Sequence, residues 1–66
     1  MQILLNGQPK ELAPRVTVEA LLVELGLAPV RVAVEVNEDL VPRTTFADRA
    51  LESGDRVEVV TFVGGG

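Results

Sequence analysis

The stretch that decides the fold is RVEVVTFVGGG, residues 56–66 at the C-terminal end of the sequence. Its first part is rich in Val and predicts a strand, in which Val57 and Val59 share one face. Val60 and Phe62 share the opposite face, because successive side chains of a strand alternate. The strand therefore has two apolar faces, and an element packed on one side of the strand can cover only one of them.

The tail after this strand consists of Val63, Gly64, Gly65 and Gly66. Glycine loses the most conformational entropy on ordering and has no side chain to pack, so these glycines contribute nothing to folding. A backbone without Cβ atoms can pass through a narrow channel, and four residues reach about 13 Å at about 3.3 Å each. The tail therefore predicts delivery of the terminal carboxylate into another protein's active site, with an ordinary frayed end as the alternative.

The composition indicates one small domain with an aliphatic core. The chain has 66 residues, of which 47% are hydrophobic, and its only aromatic residues are Phe46 and Phe62. A chain of this size buries only about 60% of the surface that its unfolded form exposes. With no Cys and no His, it has neither disulfides nor a Cys/His metal site to support the fold. The hydrophobic core must therefore suffice, and little volume remains for a ligand pocket.

The same absences exclude several classes of function. Without Cys or His, the chain lacks thiol nucleophiles, imidazole acid–base groups and haem ligands. Ten acidic and six basic residues give a net charge of −4, and the arginines are scattered, which argues against nucleic-acid binding. No apolar stretch approaches the roughly 18 residues of a membrane span, and the first residues do not predict a signal peptide. We therefore expect a soluble cytoplasmic protein without a membrane partner.

The N-terminal segment predicts a β-hairpin. The apolar run at residues 2–5 is followed by Asn6-Gly7, the dipeptide that most favours a two-residue type I′ turn. The returning strand, residues 8–12, contains Pro9, which lacks an amide donor and is therefore expected at a sheet edge.

A short amphipathic helix follows the hairpin. Thr17 is the predicted N-cap, and Gly26 stands where a C-terminal glycine would end the helix. Apolar side chains recur with helical spacing and predict one buried face; they are Val18, Leu21, Leu22 and Leu25. A helix of about two turns is marginal alone, so it must pack across a sheet.

The second half of the chain predicts three more strands. The first is residues 31–36, and a turn at residues 37–39 leads to the short strand Leu40-Val41, which Pro42 ends. Residues 42–55 are predicted to be irregular, and the last strand spans residues 56–62. We expect the last strand to turn Val57 and Val59 toward the helix. Its other face would then present an apolar strip to solvent, formed by Val60, Phe62 and Val63.

The order β-β-α-β-β-β, with a diglycine after the last strand, resembles the β-grasp fold shared by ubiquitin and the prokaryotic sulfur carriers. The residues are most similar to the ThiS family, the sulfur carriers of thiamine thiazole biosynthesis. The resemblance covers essentially the whole chain and is carried by MQILLNG (1–7), VEVNEDLVPR (34–43), Phe46, GDRVEVV (54–60) and Gly65-Gly66. A third glycine and the absence of a Trp at position 46 are departures that leave the implied chemistry intact.

The resemblance implies an α+β fold of the β-grasp class. Residues 1–63 would form one domain, with a mixed sheet of four to five strands and one helix packed across one face. Residues 64–66 would form a flexible Gly-Gly tail.

The resemblance also implies that the chain is a protein cosubstrate and not an enzyme, with no catalytic residue, no metal and no bound cofactor of its own. A ThiF-type, E1-like adenylyltransferase would use ATP to adenylate the carboxylate of Gly66. A persulfide from a cysteine desulfurase relay would then displace AMP and leave a thiocarboxylate. The thiazole synthase ThiG would take up that sulfur while building the thiazole ring.

The implied site residues fall into three groups. Gly66 is the covalently modified residue, and Gly64 and Gly65 thread the partner's active site. The candidates for partner docking are Val60, Phe62 and Val63. For Val60 and Phe62, packing against the irregular segment at residues 44–51 is the alternative.

Other functions remain open at this point. A MoaD-like subunit of molybdopterin synthase or a carrier for tRNA thiolation would share the fold and the chemistry, although MoaD-like chains tend to be longer. A ubiquitin-like modifier would use the same activated carboxylate. A non-reactive β-grasp interaction module belongs to a different class, because it would keep its affinity after deletion of Gly65 and Gly66.

Overall fold

The computed structural model describes residues 1–62, so Val63 and the three glycines that follow lie outside the described residues. The predicted boundary between a domain at 1–63 and a tail at 64–66 therefore stays a prediction. The elements are β1 (Gln2–Leu5), β2 (Gln8–Glu11), α1 (Val18–Leu25), β3 (Val32–Val36), β4 (Asp39–Leu40) and β5 (Arg56–Thr61), with 3₁₀ turns at Pro29–Arg31 and Arg43–Thr45.

The strands form one mixed sheet in the order β2-β1-β5-β3-β4. The central strand β5 runs parallel to β1 and antiparallel to β3, while β1–β2 and β3–β4 are antiparallel hairpins. Strand β2, which contains Pro9, lies at the edge of the sheet, as predicted. Within residues 1–62, the five-stranded sheet and one α-helix confirm the predicted β-grasp fold.

Both hairpins turn through two residues with positive φ. Asn6 and Gly7 have φ of 50° and 84°, which confirms the predicted type I′ geometry. Asn37 and Glu38 have φ of 52° and 73°. Our prediction of a three-residue turn ending at Asp39 was therefore wrong, because a two-residue turn already matches the twist of the strands. Asp39 pairs with Val36 as the first residue of β4.

The helix begins and ends where the sequence predicted. The Thr17 hydroxyl oxygen accepts a hydrogen bond from the Ala20 amide at 3.1 Å. Gly26 has φ of 74°, and its amide donates to the Val23 carbonyl at 3.0 Å. The Leu27 amide donates to the Leu22 carbonyl at 2.9 Å, which completes a Schellman motif.

The core lies between α1 and the inner face of the sheet. Val18, Leu21 and Leu22 of the helix belong to one buried cluster with residues of β1, β3 and β5. Phe46 and Leu51 also belong to it, so the predicted irregular segment contributes two of its buried side chains. Hydrogen bonds from the Val18 amide to the Arg49 carbonyl and from the Leu51 amide to the Val16 carbonyl, at 2.9 and 2.8 Å, tie this segment to the start of the helix.

Besides the start of β4, four predicted strand boundaries differ from the structure by one residue. Strand β2 ends at Glu11, although the Leu12 amide still donates to the Met1 carbonyl at 2.7 Å. Strand β4 ends at Leu40, although the Val41 amide still donates to the Val34 carbonyl at 2.9 Å. Arg31 lies in a 3₁₀ turn, so β3 begins at Val32, because Pro29 starts a short turn that absorbs the following two residues. Strand β5 ends at Thr61, although the Phe62 amide still donates to the Arg31 carbonyl at 2.8 Å. In the described part of the chain, no helix is long and apolar enough to cross a membrane.

Candidate functional site

The two faces of β5 have opposite environments. Val57 and Val59 are buried, whereas Val60 and Phe62 are 58% and 55% exposed. The prediction of their orientation is therefore confirmed. The alternative, in which Val60 and Phe62 pack against residues 44–51, was wrong, because Phe46 and Leu51 of that segment point into the core on the other side of the sheet.

The exposed residues of β5 lie within a larger surface, which we call the outer sheet face. Cross-strand register places Ala33 opposite Val60, Glu35 opposite Glu58, and Leu40 opposite Glu35. Its members are Leu4, Ala33, Glu35, Leu40, Arg56, Glu58, Val60 and Phe62. Four of them are large exposed apolar side chains, namely Leu4, Leu40, Val60 and Phe62.

Sequence reasoning missed Leu4 and Leu40 as members of this face. A signal for Leu4 was available, since it alternates with Ile3, which is 1% exposed. Leu40 gave no such signal, because β4 has only two residues and its register depends on the turn that precedes it.

The middle of the outer sheet face carries negative charge. Glu35 and Glu58 are directly opposite each other in the antiparallel β3–β5 pair. Within residues 1–62, neither carboxylate is in an ion pair, whereas Arg56 and Glu38 approach to 4.0 Å. Like charges at opposed positions repel, so this pair weakens the sheet slightly.

Two asparagine side chains form hydrogen bonds with the backbone of β5. Asn6 lies in the turn after β1, and Asn37 lies in the turn after β3. Asn6 Oδ1 accepts from the Val59 amide at 2.9 Å, and Asn6 Nδ2 donates to the Val59 carbonyl at 3.2 Å. Asn37 Oδ1 accepts from the Arg56 amide at 2.9 Å, and Asn37 Nδ2 donates to Asp55 Oδ1 at 3.0 Å. Asn6 and Asn37 were predicted only as turn residues, because their contacts on β5 are distant in sequence.

The described residues provide a surface and no enclosed site. Residues 1–62 form no pocket and contain no group of three or more His, Cys, Asp or Glu side chains placed to hold a metal ion. Gly66, Gly65, Gly64 and Val63 lie outside the described residues, so their assigned roles stay predictions. The structure places the exposed side chains of Val60 and Phe62 at the end of the chain segment that leads to the tail.

Comparison with known proteins identifies the family. The family model described as the ThiS family matches residues 3–66. The sulfur carrier protein ThiS of Escherichia coli is 33% identical over 66 residues, with full coverage of both chains. A thiazole synthase of Paramagnetospirillum magneticum is 44% identical over 66 residues, and this chain spans only 20% of that protein's length.

A solved structure agrees with the sequence comparisons. The crystal structure of the thiamine biosynthesis protein ThiS from Geobacter metallireducens has a TM-score of 0.85, 35% sequence identity and full coverage of both chains. The fold and the family model therefore lead to the same conclusion. This chain belongs to the ThiS family.

Proposed function

We propose that this chain is a sulfur carrier, whose C-terminal carboxylate on Gly66 becomes a thiocarboxylate that supplies sulfur for the thiazole ring of thiamine. The observation that carries this proposal is the family match, which extends through residue 66 and therefore includes the glycine tail. The outer sheet face supports it, because exposed Val60 and Phe62 stand directly before the tail.

The proposed chemistry begins with activation of the carboxylate. A carboxylate is a poor electrophile, because its charge is delocalised and its leaving group would be oxide. In the active site of a ThiF-type adenylyltransferase, a Gly66 oxygen attacks the α-phosphate of ATP, and pyrophosphate leaves. The product is an acyl adenylate with AMP as its leaving group. ATP is thus bound and used by the partner enzyme and not by this chain.

Sulfur then replaces the activated oxygen. The terminal sulfur of a persulfide, supplied by a cysteine desulfurase relay, attacks the acyl carbon, and AMP leaves. The product is an acyl disulfide between Gly66 and the relay cysteine. A thiol attacks the sulfur of that cysteine, forms a new disulfide with it, and displaces the thiocarboxylate on Gly66. The chain contributes no catalytic side chain to these steps, consistent with a protein that has neither Cys nor His.

The proposed docking site for the adenylyltransferase is the exposed side of β5. Val60 and Phe62 are more than half exposed and stand two residues apart on one face. Val60 lies in the central strand, and Phe62 follows it with its amide hydrogen-bonded to the Arg31 carbonyl. Apolar side chains on a hydrogen-bonded backbone are suited to anchor a partner, because less backbone entropy is lost when they become buried. Val63 continues the same segment in the sequence and is included in the proposal.

The proposed sulfur acceptor is a thiazole synthase of the ThiG type. A segment similar to this chain over its full length occurs within a protein named thiazole synthase. That relationship favours thiazole formation over the molybdopterin and tRNA-thiolation alternatives, which share the activation chemistry.

The test is reconstitution with a ThiF-type enzyme and ATP, with adenylate formation measured by ATP–pyrophosphate exchange. We expect exchange to depend on the wild-type chain and to be lost when Gly65 and Gly66 are deleted. Circular dichroism of the deletion variant should match the wild type, since residues 1–62 contain the core. Equal exchange with the shortened chain would contradict adenylation at Gly66. Exchange that does not depend on the wild-type chain at all would favour a non-reactive interaction module.

A further inference from the structure

The pairing of β5 is asymmetric along its length. On one side, β3 accompanies β5 as far as the Val32–Thr61 pair. On the other side, β1 pairs only as far as Leu5–Val57, because the chain turns away at Asn6-Gly7. Among the described residues, no strand therefore pairs with the half of β5 that leads to the tail on the β1 side.

The side chain of Asn6 occupies this position. The backbone amide of Asn6 donates to the Val57 carbonyl at 2.8 Å, which is the last backbone hydrogen bond from this end of β1 to β5. Its side-chain amide then donates to and accepts from the backbone of Val59. One carboxamide thus replaces the peptide group that a longer β1 would have supplied, and it satisfies both polar groups of Val59.

The turn alone does not require this side chain. A type I′ turn needs positive φ at both central residues, and Gly-Gly supplies that geometry as well as Asn-Gly. The specific contribution of asparagine at position 6 is therefore its pair of hydrogen bonds to Val59. These bonds lie immediately before Val60 and three residues before Phe62.

We propose that Asn6 is a positioning residue for activation of the carrier, an inference that rests on the proposed function. Its side chain fixes the backbone at Val59, so that Val60 and Phe62 are held in a constant orientation on the outer sheet face. Without it, the end of β5 is held by β3 alone, and the docking residues sample a wider range of orientations. Docking then weakens, while the chemistry on the bound carboxylate is unchanged.

The chain offers a matched control in Asn37. It has φ of 52° against 50° for Asn6, occupies the equivalent position of the other hairpin, and also binds the backbone of β5. Its contact is with Arg56, at the end of β5 remote from Val60 and Phe62. Replacement of either residue by Gly keeps the turn geometry and removes only the side chain.

The experiment measures carrier-dependent ATP–pyrophosphate exchange with the ThiF-type enzyme for the wild type, Asn6→Gly, Asn6→Asp and Asn37→Gly, under conditions in which all four are folded. For Asn6→Gly we expect KM for the carrier to rise by about fivefold to tenfold, as loss of two modest hydrogen bonds allows, with kcat within about twofold. Asn37→Gly should change neither parameter by more than about twofold, because its bonds are remote from the docking residues. Asn6→Asp should be intermediate, since a carboxylate still accepts from the Val59 amide but cannot donate to its carbonyl.

Hydrogen exchange of the Val59 amide provides a local readout. We expect its protection to fall in Asn6→Gly and to be retained in Asn37→Gly. Retained protection in Asn6→Gly, or lost protection with a wild-type KM, would overturn the positioning role. A wild-type chain that is never adenylated would contradict both the proposed function and this inference. An active wild type with equal KM for Asn6→Gly and Asn37→Gly would contradict the inference alone.

Discussion

Replacing Phe62 by Ala separates a docking residue from a core residue. Full burial of a Phe side chain is worth about 1.5–3 kcal/mol, and Phe62 remains 55% exposed, so its truncation should lower the free energy of unfolding by about 0.7–1.4 kcal/mol. A domain of this size has a free energy of unfolding of about 3–10 kcal/mol, so the variant should stay folded. As a central anchor of the docking site, Phe62 should cost docking about 2 kcal/mol when it is truncated, which is a rise of roughly 30-fold in KM.

The assay combines urea denaturation with carrier-dependent exchange kinetics on the same samples. Val23→Ala is the control, because Val23 is also an exposed apolar residue, 72% exposed, but lies on α1. It should alter neither stability nor KM appreciably. A loss of about 3 kcal/mol or more for Phe62→Ala with an unchanged KM would refute the reasoning and identify Phe62 as a structural residue.

Three further predictions concern the described fold. Phe46→Ala should lower the free energy of unfolding by about 3–5 kcal/mol in urea denaturation, because Phe46 is only 3% exposed. A loss below about 1 kcal/mol would contradict its place in the core. Gly26→Ala should lower the free energy of unfolding by about 1 kcal/mol, because φ at this position is 74°. An added Cβ meets no atom within 4 Å, so the loss comes from the backbone alone, and an unchanged melting temperature would argue against the Schellman motif. Glu58→Gln should raise the free energy of unfolding by about 0.2–0.5 kcal/mol at low salt, because it removes repulsion from Glu35. The gain should shrink in high salt, and a decrease in the free energy of unfolding would contradict the opposed pair.

The elements that the sequence predicted well are those encoded by local signals. Thr17 and Gly26 set the ends of the helix through contacts within four or five residues. Asn6-Gly7 fixed the first turn, and the alternation around Val59 fixed the faces of β5. Each of these signals involves residues that are close in sequence, so it can be recognised without knowledge of the tertiary structure.

The features that the sequence did not reveal depend on register between distant strands. The bonds of Asn6 to Val59 join residues that are 53 positions apart. The exposure of Leu40 follows from a two-residue turn where three residues were predicted. The opposition of Glu35 and Glu58 likewise needs the pairing of β3 with β5. Periodicity alone specifies the face of a residue and not its partner across the sheet.

The central claim is that Gly66 carries the sulfur, and its most direct test is mass spectrometry of the reconstituted reaction. After incubation with a ThiF-type enzyme, ATP and a persulfide source, the wild-type chain should gain the mass of one oxygen-to-sulfur replacement, and fragmentation should place it on Gly66. A chain with one Ala added after Gly66 should gain none, because its carboxylate is displaced by about 3.3 Å from the reacting position and bears a Cβ. An unmodified wild type, or equal modification of the extended chain, would contradict the account.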